Sequence, residues 1–168
     1  MRFGTSRLLL LVSALLCTSH AAAACWDQAA ARYGVNAELL KAIGWVESNW
    51  RADAVGPPLS DGNVALGLMQ INTVHLPELA LYGIRREDLF NACVSQNVGA
   101  WVLADCMRRF GNTWKAVGCY NTGPASNNEA AQLRYVAKVS KHFARFKSQA
   151  AARPQQLAST STFLQSAE

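Results

Sequence analysis

The chain has 168 residues, 51% of them hydrophobic and 16% charged, with a formal net charge of +5. That length holds one compact domain, and the apolar fraction is enough to build its core. The charge is modest and Lys and Arg form no dense run, which argues against a nucleic-acid partner.

The first segment reads as an address. Arg2 and Arg7 bracket the start, an apolar run covers Leu8 to Leu16, and small residues lead through Ala21-Ala22-Ala23-Ala24 to Cys25. A charged start, a short apolar stretch and an Ala-x-Ala site describe a secretory signal peptide over residues 1–24. The run falls short of the roughly 20 residues that span a bilayer, so no stable membrane span is expected once it is cleaved. An uncleaved anchor is the competing reading. A lipoprotein with Cys25 at its head is another, but Ala22 stands where such processing prefers leucine. Cleavage after Ala24 leaves 144 residues and, by removing Arg2 and Arg7, lowers the net charge from +5 to +3.

After cleavage four cysteines remain, Cys25, Cys93, Cys106 and Cys119. An even count in an exported chain implies two disulfides, for which three pairings exist. We expect Cys25–Cys93, tying the N-terminal segment to a long helix, and Cys106–Cys119, joining that helix to the next. The chain has no Cys-x-x-Cys and only three histidines, at 20, 75 and 142, so neither a zinc site nor a cofactor is expected.

Apolar residues Trp26, Ala29, Ala30 and Tyr33 recur at helical spacing up to Gly34. Asn36 is placed to cap a second helix from Ala37 to Ser48, with Leu39, Leu40, Ile43 and Val46 as its inner face. Gly56-Pro57-Pro58 and Ser60-Asp61-Gly62-Asn63 mark a loop, with at most a small β-hairpin over 51–66. Short helices are expected at Gly67–Thr73 and Arg85–Phe90. The strongest period runs from Cys93 to Phe110 through Val94, Val98, Trp101, Val102 and Cys106, and Gly111 stops it. Trp114–Tyr120 is one more helix. The last, Glu129–Lys147, is expected to bury Leu133, Val136, Val139, Phe143 and Phe146. Residues 148–168, rich in Ala, Gln, Ser and Thr, read as a disordered tail. The fold class is mainly α, with one domain over 25–147.

Chemistry concentrates in three strings: Gly44-Trp45-Val46-Glu47-Ser48-Asn49, Gly67-Leu68-Met69-Gln70-Ile71-Asn72 and Tyr120-Asn121-Thr122-Gly123. A carboxyl at Glu47, among Trp45, Val46 and core residues, loses solvation and its pKa rises. That keeps the acid protonated near neutral pH, as a general acid at a glycosidic oxygen requires. Taken singly, each string reads equally as an ordinary helix with a polar end.

In this order and spacing the three strings resemble the soluble lytic transglycosylases. The chain looks most like the small single-domain members that accompany secretion, conjugation and pilus machines, and the likeness covers residues 25–147. It implies a lysozyme-like fold and a peptidoglycan-cleaving enzyme of the periplasm. Its glycan substrate would be cut between N-acetylmuramic acid and N-acetylglucosamine, leaving a 1,6-anhydro end. It further implies Glu47 as the catalytic acid/base, Ser48 as a polar neighbour near the cleft, and Met69 and Gln70 as cleft-lining residues. Tyr120 would orient the Glu47 carboxyl and Asn121 would bind substrate near the scission point. Two other readings stand beside it: a hydrolytic muramidase of the same fold, and a catalytically silent wall-binding module. Some relatives carry an acidic residue two positions before the Gly-Leu-Met-Gln run. Here that position is Ala65, which favours a single-carboxylate mechanism.

Overall fold

The computed structural model describes the backbone over residues 17–165 and side chains over residues 25–153. Most of the expected signal peptide, residues 1–16, lies outside the described residues, as do residues 166–168. Among the described residues six α-helices carry the fold: α1 (Cys17–Tyr33), α2 (Ala37–Ser48), α3 (Leu76–Ala80), α4 (Ala92–Phe110), α5 (Trp114–Thr122) and α6 (Glu129–Gln165). Two 3-10 turns, Thr73–His75 and Glu87–Phe90, lead into α3 and α4. Among the described residues no helix is long and apolar enough to cross a membrane.

Local chemistry accounts for the helix boundaries. Gly34 sits at φ 66°, where a side chain would be strained, and turns the chain out of α1. The Asn36 side chain then accepts the Leu39 amide at 2.9 Å, supplying one of the partners that a helix N-terminus lacks. Asn91 does the same for α4, accepting from Cys93 and Val94.

Helix α2 lies at the centre, with Leu40, Ala42 and Ile43 fully buried. Helices α1 and α6 pack on it, α4 packs on α1, and α5 bridges α4 and α6. Both expected disulfides are present. Cys25–Cys93 joins α1 to the start of α4, and Cys106–Cys119 joins α4 to α5, with Cα separations of 5.3 and 5.9 Å.

Three expectations change. The segment Gly67–Thr73 is not a helix. Strand β1 (Ala65–Leu66) pairs antiparallel with β2 (Ile71–Asn72), and Val55 bridges to Leu66, so the small sheet begins in the 51–66 loop where a hairpin was allowed and extends past it to Asn72. Gly67 at φ 71° and Gln70 at φ 49° rule out helix here. The last helix does not stop at Lys147 and no loss of regular structure follows: α6 continues to Gln165. Its continuation opens with Gln149-Ala150-Ala151-Ala152, good helix formers that propagate an existing helix cheaply. Finally, the inner face of α6 holds Val139 and Phe146 as expected but loses Leu133 and gains Tyr135. Leu133 is exposed, whereas Tyr135, Val139 and Phe146 are buried.

Candidate active site

A cleft of about 820 Å³ runs between the loop preceding β1 and the helical body. Glu47 lines it from the last turn of α2, with Gln70, Tyr120 and Asn121 around it. These residues come from three separated stretches of sequence, and the packing of α2, the β-hairpin and α5 brings them together.

The Glu47 carboxyl is the group in the cleft most altered by its surroundings. Burial pushes its pKa from an ordinary 4.5 up to about 7, because the charged form loses water that the protein does not replace. Two groups pull in the other direction. The Tyr135 hydroxyl donates to Glu47 Oε1 at 2.5 Å, and Lys138 contributes a favourable charge. Both stand on α6. The acid is therefore about half protonated at neutral pH, while a hydrogen bond waits to steady it when it ionises.

Tyr135 was missed in the sequence. The signal that finds it is the run Tyr135, Val139, His142, Phe146, a helical stripe that shares Val139 and Phe146 with the expected face. Tyr120 takes a different partner from the one expected. Its hydroxyl donates to the Met69 carbonyl at 2.9 Å, not to Glu47; burial, and after it the nearby Glu47 charge, push its own pKa up. A buried phenol needs a partner, and the nearest acceptor on offer is the backbone of the hairpin turn.

Ser48 and Met69 do not line the cleft. Ser48 is buried and donates to the Leu68 carbonyl at 2.7 Å. Met69 is fully buried between two glycines: a Cβ on Gly99 of α4 would fall 2.6 Å from Met69 Cε, and one on Gly44 of α2 would fall 3.0 Å from its sulfur. The Met69 amide donates to Ser95 Oγ at 3.0 Å. The turn 67–70 is thus fastened from α2, α4 and α5 at once.

That fastening holds Gln70 in the left-handed region, which costs a non-glycine residue of order 1–2 kcal/mol. Gln70 Nε2 donates to the carbonyls of Ala54 and Gly67, at 3.2 and 2.9 Å. Both amide hydrogens are spent on the loop, which leaves Oε1 as its acceptor toward the cleft. Asn121 is exposed at the cleft edge. Asp61 also lines the cleft, but Asn63 occupies it: the Asn63 amide and side chain donate to its two oxygens at 3.0 and 2.9 Å and hold its carboxyl below the usual range.

A family model described as transglycosylase SLT domain matches residues 24–143. The chain belongs to the transglycosylase SLT family. It is 37% identical over 143 residues to the invasion protein IagB of Salmonella typhimurium, covering 84% of this chain and 89% of IagB. Protein IpgF of Shigella flexneri is 34% identical over 122 residues, covering 72% of this chain and 80% of IpgF. Among solved structures, the lytic transglycosylase Slt of Pseudomonas aeruginosa superposes with a TM-score of 0.63 at 22% identity. That match takes in 77% of this chain and 24% of Slt, so the chain spans about a quarter of the larger protein. The lysozyme-like fold follows from this superposition. Membership makes the chain a lytic murein transglycosylase, an enzyme of periplasmic peptidoglycan.

Proposed function

We propose that this SLT-family enzyme cleaves the β-1,4 bond between N-acetylmuramic acid and N-acetylglucosamine, with Glu47 acting first as acid and then as base. The observation that carries this reading is the Glu47 carboxyl itself, half-buried at a cleft wall with its pKa raised to about 7 and a phenol donating to it. In the first step the protonated carboxyl gives its proton to the glycosidic oxygen, and the C1–O bond breaks. Positive charge develops at C1, where the substrate's 2-acetamido group is placed to share it. The Glu47 carboxylate, held by Tyr135, then takes the proton of the C6 hydroxyl as that oxygen closes on C1. A 1,6-anhydro ring results, no water is consumed, and Glu47 is again protonated.

Hydrolysis in a two-carboxylate manner would need a second acid poised beside the first. The charged group acting on Glu47 is Lys138, and the Asp61 carboxylate is engaged by Asn63. This supports the single-carboxylate route. The signal peptide at residues 1–24 would deliver the enzyme to the periplasm. The name invasion protein, carried by IagB, supports a role in opening the wall locally for a secretion, conjugation or pilus apparatus.

Mass spectrometry of digested peptidoglycan tests the reaction. Anhydro-muropeptides from wild type and none from Glu47→Gln are expected. Hydrolysed reducing ends would make it a muramidase, and an undigested wall would make it a binding module.

A further inference from the structure

Beyond the cleft, a second recess of about 530 Å³ lies between the C-terminal end of α1 and the second half of α4. It shares Trp101, Asp105 and Arg108 with the cleft, so the two hollows meet along one stripe of α4 at i, i+4 and i+7 spacing. Charge distinguishes this junction. Asp105 accepts from both Arg108 and Arg109, the latter at 2.9 Å, so one carboxylate positions two guanidinium groups. Both arginine side chains remain mostly in solvent, 75% and 55% exposed. Arg32 adds a third guanidinium on the α1 side and has no ion-pair partner among the described residues. Three cations thus face one anion. The other carboxylates lining the cleft, Glu47, Asp61 and Glu78, belong to α2, the loop and α3.

Amino sugars joined through neutral hydroxyl and acetamido groups offer nothing for such a surplus to bind. The glycan carries its negative charge on the short peptides that hang from its muramic acid residues. We propose that the Arg32–Arg108–Arg109 shelf is a subsite for the carboxylates of these peptide stems, a reading that rests on the proposed glycan cleavage. Guanidinium forks match carboxylates two hydrogen bonds at a time, and Asp105 pre-orients two of them. Trp101 and Tyr33, on either side of the shelf, offer apolar surface to the aliphatic parts of the stem. A glycan strand seated at Glu47 would then lay a neighbouring stem across α4.

Two measurements separate this subsite from the reaction. In the first, an isolated stem peptide with free carboxylates is titrated into the full-length protein, with NMR shifts as readout. Arg32→Glu and Arg108→Glu are each expected to weaken binding about tenfold, the size of one charge-assisted contact. Arg32→Lys should fall between wild type and Arg32→Glu, since it keeps the charge and loses the fork, and a peptide with amidated carboxylates should not bind. In the second, cleavage of stem-bearing strands is compared with cleavage of strands stripped by an amidase. Wild type should show the lower KM on stem-bearing strands, and Arg32→Glu should narrow that difference. Equal binding by wild type and Arg32→Glu, or by free and amidated peptide, would overturn the subsite whatever the protein cuts. Stem binding that depends on Arg32 in a protein that cuts nothing would uphold the subsite and remove the reaction.

Discussion

At Glu47 one property governs both catalysis and stability. Its folded pKa of about 7 lies above the 4.5 of an ordinary glutamate, so between these values the folded state holds a proton that the unfolded chain has lost. Stability therefore declines as pH rises through this window, by about 3 kcal/mol across it. Glu47→Gln removes the titration and keeps an acceptor for Tyr135. Chemical denaturation should find it more stable than wild type at pH 8, and the two should converge toward pH 4. The same variant should lose activity about 100- to 10,000-fold, the usual cost of deleting an acid/base. Tyr135→Phe tests the second group. Its hydrogen bond lowers the Glu47 pKa, so its loss should raise that pKa and move the alkaline fall of the pH–kcat/KM profile upward, with a lower maximum. An alkaline limb that stays in place would show that Tyr135 does not tune the acid.

Elements differ in how openly the sequence announces them. Asn36, Gly34 and Gly111 are local signals for chain ends and turns, and the helices they bound appear where expected. Glu47, Gln70 and Asn121 at the cleft were legible too, because the three strings carry them together. What stayed hidden depends on packing. Nothing local tells that Met69 fills a slot between Gly44 and Gly99, or that Ser48 spends its hydroxyl on Leu68. On α6 the expected Val139 and Phe146 are buried, yet Leu133 is exposed and the polar-tipped Tyr135 is buried in addition. Two predictions belong at this scale. Gly99→Ala would set a Cβ 2.9 Å from Met69 Cβ, an atom close to the backbone with little freedom to retreat. It should cost about 1–3 kcal/mol in denaturant midpoint and lower activity by displacing the 67–70 turn. Removing the Cys106–Cys119 bridge by paired Ala substitution should cost about 2–5 kcal/mol, seen as a lower Tm.

Across the whole molecule, packing ends before the last helix does. Phe146 is buried, stacked at 5.3 Å on Trp50, and every side chain from Lys147 to Arg153 is exposed. We expect a chain ending at Lys147 to keep its Tm and its activity on isolated peptidoglycan, checked by calorimetry and a turbidity assay. A truncated protein that unfolds would place those residues inside the domain. The reach of α6 back to α2 has a consequence in time. Glu47 and Tyr135 are 88 residues apart, and the bond between them closes nearly the whole folded domain. A chain that emerges N-terminus first presents α2, the hairpin and α4 well before the segment carrying Tyr135 and Lys138. Until that segment docks, the carboxyl stands in water with an ordinary acidity and is ionised at neutral pH, unable to donate. Competence to donate that proton therefore depends on the docking of α6 against α2.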